Sequence, residues 1–139
     1  MLKTDITCNG LINGTVTINP IGGTPAYTYS KNDITYQASP VFNGLIKTTY
    51  TFYVKDSKSC KTSNTITIDE PADLKITSES RIDNNKCFGD SLGEIKFVTV
   101  EGGVTPYEYS VNGGTSFSGS PDFQNLPAGS YQSVVKDAN

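Results

Sequence analysis

The chain has no histidine and no tryptophan, and its 139 residues include a single methionine, at position 1. Without histidine there is no ordinary base near neutral pH, which removes Ser-His-Asp and Cys-His catalysis. Three widely spaced cysteines with no histidine match no zinc pattern, and no CxxC redox pair occurs. There is no eighteen-residue apolar run to span a membrane as a helix. No signal-peptide hydrophobic segment is seen either, since Met1-Leu2-Lys3 leads straight into strand-like sequence. This fits a piece of a longer secreted chain as well as a protein without a leader. Charge is sparse, at 18% of residues with a net charge of -3. That argues against the cationic surface that non-specific nucleic-acid binding needs.

What is present is β-sheet material: Tyr, Phe, Ile, Val and Thr, interrupted by 13 glycines and 7 prolines. One nine-residue stretch occurs twice. Gly22-Gly23-Thr24-Pro25-Ala26-Tyr27-Thr28-Tyr29-Ser30 returns as Gly102-Gly103-Val104-Thr105-Pro106-Tyr107-Glu108-Tyr109-Ser110. Each copy reads as a turn feeding a strand, with glycines permitting the turn and tyrosines alternating onto one face. The repeat divides the chain into residues 1–70 and 71–139. Units of about 70 residues have small cores and gain from a disulfide, a metal or a neighbour. The first unit has six basic and five acidic residues (net +1), the second five and nine (net -4).

Matching strands are expected along both units. Leu2 to Ile6 pairs with Leu74 to Ser78 by position, and Thr15 to Ile18 with Glu94 to Val100. In the latter, Ile95, Phe97 or Val98, and Val100 compete for the core, with a phase break. Hairpin turns at Lys31-Asn32-Asp33 and Asn112-Gly113-Gly114 should lead into short strands at 34–36 and 115–117. Phe42 and Leu45, like Phe123 and Leu126, should be buried around a turn. Tyr50, Phe52 and Val54 share a face, as do Tyr131, Ser133 and Val135. Asn64 to Ile68 is a last strand that the second unit lacks, which predicts a less stable second unit. Glu70-Pro71-Ala72 is a short join, so a stiff, extended pair is expected. No helix is expected. The fold class is all-β: tandem immunoglobulin-like antiparallel β-sandwiches.

Cys8 and Cys87 hold the same position in the two units, and Cys60 precedes the last strand of the first. A Cys8–Cys60 disulfide would tie the start of a unit to its end and stabilise it by about 4 kcal/mol through the unfolded state. Separate thiols and metal ligation are the other states. Asp56 and Asp137 recur at strand ends, where acids cap backbone N–H groups; calcium ligation is the alternative. Asp83-Asn84-Asn85 with Asp90 also has calcium-friendly oxygens, without EF-hand spacing. Asn13-Gly14-Thr15 is formally a glycosylation sequon, and equally a turn. Tyr27 with Tyr29, and Tyr107 with Tyr109, make a candidate aromatic ligand surface for sugars, against packing into the sandwich. The threonine rows Thr15/Thr17 and Thr65/Thr67 suit solvent-facing strands, or contact with a regular polymer.

Several of these residues carry a resemblance: Cys8-Asn9-Gly10, Asn13 to Val16, Gly22 to Ser30, Phe42 to Leu45, Tyr53 to Asp56, then Cys60 and Ile66 to Pro71. The first unit resembles the SprB-type repeat, and the second does so through Cys87, Gly93 to Ile95, Gly102 to Ser110, Phe123 to Leu126 and Gly129 to Asp137. Lys47-Thr48-Thr49 departs from the alanine-glycine turn retained as Ala128-Gly129. Such repeats occur in very large cell-surface proteins of Bacteroidetes-type bacteria, including gliding-motility adhesins. The resemblance implies a secreted, extracellular, non-catalytic role, and supports the disulfide. The family's ligand is not encoded in these motifs; the leading expectation is a spacer or multivalent weak-binding stalk, with neighbouring repeats and a surface polysaccharide or other extracellular polymer as partners. It supplies no cofactor and no catalytic residue. A carbohydrate-binding module using exposed tyrosines, and an appendage of a secreted enzyme, are the alternatives.

Overall fold

The computed structural model describes residues 1–83 and 89–139. Cys87, Asn84 and Asn85 fall outside the described residues. The chain divides into Met1–Glu70 and Pro71–Asn139. In the first unit, β1 (Leu2–Thr4), β2 (Gly14–Thr17) and β4 (Val41–Leu45) form one antiparallel sheet in the order β1-β2-β4. The strands β3 (Thr28–Ser30), β5 (Thr48–Lys55) and β6 (Lys61–Ile68) form the other, in the order β3-β5-β6.

The core of this sandwich is drawn from both sheets. Val16, Phe42 and Leu45 meet Tyr29, Phe52 and Ile68, with Ile6 and Ile18 at the margins. The Phe42 and Phe52 rings are tilted with centroids 4.8 Å apart, a favourable aromatic geometry. Tyr50, Phe52 and Val54 share the inner face of β5, as strand alternation requires.

The second unit repeats this order with β7 (Lys75–Ile82), β8 (Gly93–Glu101) and β10 (Asp122–Leu126) as β10-β8-β7. Facing positions are taken by β9 (Glu108–Ser110) and β11 (Val134–Lys136), paired with each other. No strand stands in the place of β6 among the described residues. Phe97 packs on Tyr109 at 5.0 Å and on Phe123 at 6.0 Å. It is buried while Val98 is exposed, which resolves the phase of β8. Register shifts on the β7 side, around Ser78, absorb the irregularity.

The strands of the first unit are thus partitioned between two antiparallel sheets, as in a β-sandwich. A tyrosine corner is present in both units. The Tyr50 hydroxyl lies 3.1 Å from the donating Ile46 N–H, and the Tyr131 hydroxyl donates to the Pro127 carbonyl at 2.7 Å. Phe52 stands two residues after Tyr50 and packs into the buried core.

Two local expectations are corrected. Residues 34–36 and 115–117 are not strands. The Asn32 side chain accepts the N–H groups of Ile34 and Thr35, both at 3.0 Å, so the loop is closed locally instead. Sheet contact there is reduced to the bridges Tyr29–Gln37 and Tyr109–Ser118. The expected turn between Phe42 and Leu45 is a bulge within β4, with Gly44 at φ +64°; Asn125 takes the same conformation in β10, at φ +57°.

Candidate functional site

The repeated glycine-tyrosine stretch is a structural clasp. Tyr27 donates its hydroxyl hydrogen to the Gly22 carbonyl at 2.7 Å, and Tyr107 to that of Gly102 at 2.6 Å. Each ring therefore closes over its own turn. The residue after the paired glycines is held by the acid that follows the neighbouring strand: Thr24 N–H donates to Asp56 Oδ2 at 3.0 Å, and Val104 N–H to Asp137 Oδ2 at 2.9 Å. Backbone bonds complete the clasp, from Ser57 N–H to the Thr24 carbonyl and from Ala138 N–H to that of Val104.

Glycine is required at the second position for two reasons. Gly103 sits at φ +60°, and a Cβ there would lie 2.8 Å from Asp137 Oδ2.

Asp56 is further occupied by the N–H groups of Lys58 at 2.9 Å and Cys60 at 2.8 Å. The Thr24 N–H above all, aided by those of Cys60 and Lys58, holds its carboxyl below the usual range against partial desolvation. Both carboxylates are thus spent on backbone donors. No group of three or more metal-ligating side chains occurs among the described residues. Asp56 and Asp137 thus take the turn-capping role expected of acids at strand ends.

The tyrosine ligand surface is also corrected. Tyr29 is 6% exposed and belongs to the core, while Tyr27 packs half-buried against it. Tyr109 lies on Phe97, and Tyr107 is half-buried over its turn. The same alternation that puts both tyrosines on one face turns that face toward the core, so Tyr29 is withdrawn from any ligand while Tyr27, Tyr107 and Tyr109 are half-buried.

The Cys8–Cys60 bridge is corrected as well, since both thiols are free. Cys60 precedes the start of β6, whereas Cys8 lies beside the strand's end, where Ile6 N–H donates to the Asp69 carbonyl. Eight strand residues separate these poles by roughly 25 Å, far beyond the ~7 Å Cα limit for a disulfide.

Two features escaped the sequence reading. Ser30 is fully buried and donates to Asn32 Oδ1 at 2.9 Å, and the equally buried Ser110 donates to Asn112 Oδ1 at 2.8 Å. The recurrent Ser-x-Asn spacing was the available signal. The second is on the outer face of β5 and β6. Tyr36 donates to Asp33 Oδ1 at 2.5 Å, Lys61 pairs with Asp33 at 2.6 Å, and Lys55 lies 4.2 Å over the Tyr36 ring. In the second unit Lys136 lies 4.5 Å over Phe117. The Asp33 carboxylate, as hydrogen-bond acceptor first, pushes the Tyr36 phenol up to about 12. Hydroxyl rows adjoin this cluster, with Thr49 and Thr67 joined at 2.8 Å. Asn13 in the sequon donates to Thr7 Oγ1 at 2.8 Å, which is a turn role.

Two copies of one antiparallel sandwich, each closed by the same clasp, define a tandem structural repeat. The SprB repeat family model matches residues 3–35 and 80–116, together half of the chain, and the chain belongs to the SprB repeat family. These are structural repeats of cell-surface proteins. No curated protein and no solved structure matches the chain. Among the described residues, no helix is long and apolar enough to cross a membrane.

Proposed function

We propose that this chain is a pair of links in the stalk of a large secreted surface protein, extending a distal binding part away from the cell. The observation behind this reading is how the conspicuous side chains are used. Tyr27, Tyr107, Asp56 and Asp137 all satisfy the backbone of their own unit, which supports a structural use of the clasp. Repetition then extends the molecule and multiplies any weak contact through effective concentration. Gliding motility and adhesion are the settings in which such a stalk acts, and neighbouring repeats are its nearest partners. The location is extracellular. Protease shaving of intact cells should release peptides of this sequence, and their retention until lysis would refute the location. Affinity electrophoresis through polysaccharide gels tests the spacer role: the folded chain should migrate unretarded.

A second reading, contact with a surface polysaccharide, draws support from the outer-face cluster rather than the repeated tyrosines. Half-buried Tyr36 and Tyr53 flank Lys55 beside the threonine rows, which offers rings, a cation and hydroxyls on one face. Retardation abolished by Tyr53→Ala would favour this reading over the spacer.

A further inference from the structure

The outer face of β5 and β6 carries a positive charge whose counterpart in the second unit is cancelled. Thr49, Thr51, Tyr53 and Lys55 alternate onto this face, opposite Thr67, Thr65, Ser63 and Lys61. Lys61 is paired with Asp33 at 2.6 Å, whereas Lys55 acts on that carboxylate only through space. The Lys55 ammonium lies 4.2 Å over the Tyr36 ring and, among the described residues, has no ion pair or hydrogen bond. The second unit shows the neutralised form. Lys136 matches Lys55 and lies 4.5 Å over Phe117, but Glu108 stands opposite it on β9 and pairs with it at 2.5 Å. Thr28 holds that opposite position in the first unit, so the residue across the ladder from Lys55 has no carboxylate. Val134 likewise stands where the first unit has Tyr53.

We propose that this face of the first unit is a contact site for an acidic polysaccharide, with Lys55 taking the carboxylate of a hexuronate residue and Tyr53 its sugar ring. The assignment rests on the polysaccharide-contact reading and names the class of sugar. Two ammonium groups and one carboxylate leave the face a surplus positive charge, and a charge-assisted bond to Lys55 breaks no existing ion pair. The half-buried Tyr53 ring beside it offers the apolar surface that the C–H face of a pyranose packs on. Hydroxyls continue along the sheet at the paired positions Tyr53–Ser63, Thr51–Thr65 and Thr49–Thr67, an extended row that suits a chain better than a lone ion. Because β5 is paired on both sides, its backbone has no free edge for a peptide strand, which favours a glycan over a polypeptide. An ion pair open to solvent is weak, so this single pair of units still passes a polysaccharide gel unretarded, and repetition along a stalk multiplies the contact.

The test is an NMR titration of the whole chain with trigalacturonate, with its methyl ester and with triglutamate. Trigalacturonate should shift the ring signals of Tyr36 and Tyr53 saturably, and the uncharged ester should bind about five-fold more weakly, the loss expected for an ion pair open to solvent. Triglutamate, which carries carboxylates without sugar rings, should leave both signals in place. Lys55→Gln removes the cation, and Thr28→Glu installs the counter-charge that Glu108 already provides at the same ladder position of the second unit. Each variant should lower the affinity for the acid to that for the ester. Equal binding of acid and ester overturns the acidic preference while the polysaccharide-contact reading stands, and binding of neither overturns both. Shifts produced by triglutamate, or a preference for the acid that survives both variants, equally overturn the proposal.

Discussion

The Asp56 carboxylate and the Thr24 backbone N–H, thirty-two residues apart, meet at 3.0 Å and lock the end of β5 to the turn before β3. Replacing Asp56 by Ala orphans the N–H groups of Thr24, Lys58 and Cys60 together, so the melting temperature should fall by several degrees, on the order of the loss of a helix cap. The carboxyl is held below its ordinary value, so its stabilisation is full above about pH 4 and is lost as pH falls through the folded value. Acid melts of Asp56→Asn should accordingly show a shallower decline than wild type.

Phe52 is 1% exposed at the centre of the first core. Phe52→Ala should cost about 3–5 kcal/mol, measured by denaturant unfolding, through lost transfer energy and a cavity. Gly14→Ala should cost about 1–3 kcal/mol, because the added methyl meets Ile68 and the Leu45 carbonyl. Native-state amide exchange should be slower in β5, which is paired on both sides, than in β11, which among the described residues pairs only with β9.

Tyr36 should ionise near pH 12 in an alkaline absorbance titration. The pKa is raised, so the neutral phenol's contribution is complete below about pH 10 and disappears as pH rises through the folded value. Asp33→Asn removes the main cause and should return the transition toward the ordinary range. An unchanged transition would locate the shift elsewhere.

Cys60 is exposed and Cys8 half-buried, both as thiols. Alkylation of the native protein followed by peptide mapping should modify Cys60 faster than Cys8. Mild oxidation should yield no intramolecular Cys8–Cys60 link. Finding that link in folded material would overturn the strand register described here.

Much of this fold was legible along the chain. Alternation in Tyr50-Thr51-Phe52-Tyr53-Val54 located β5 and its inner face, because strand periodicity is a property of the backbone alone. Phe42 and Leu45 were legible as core, but their bulge was not, since the positive φ at Gly44 reflects pairing with β2. The cysteine bridge failed for a related reason. Linear order brings Cys60 near the end of its unit, but β6 carries the chain across the whole sandwich before reaching Cys8.

The sequence by itself determined the repeat, the all-β class and the residues that mark equivalent turns, because local backbone preferences and period-two patterning are written residue by residue. Only the tertiary structure decided what those residues do. Whether a tyrosine faces core or solvent, or an aspartate meets a metal or a distant N–H, depends on which strands become neighbours. That pairing spent Tyr27 on Gly22, Asp56 on Thr24 and Ile68 on Gly14.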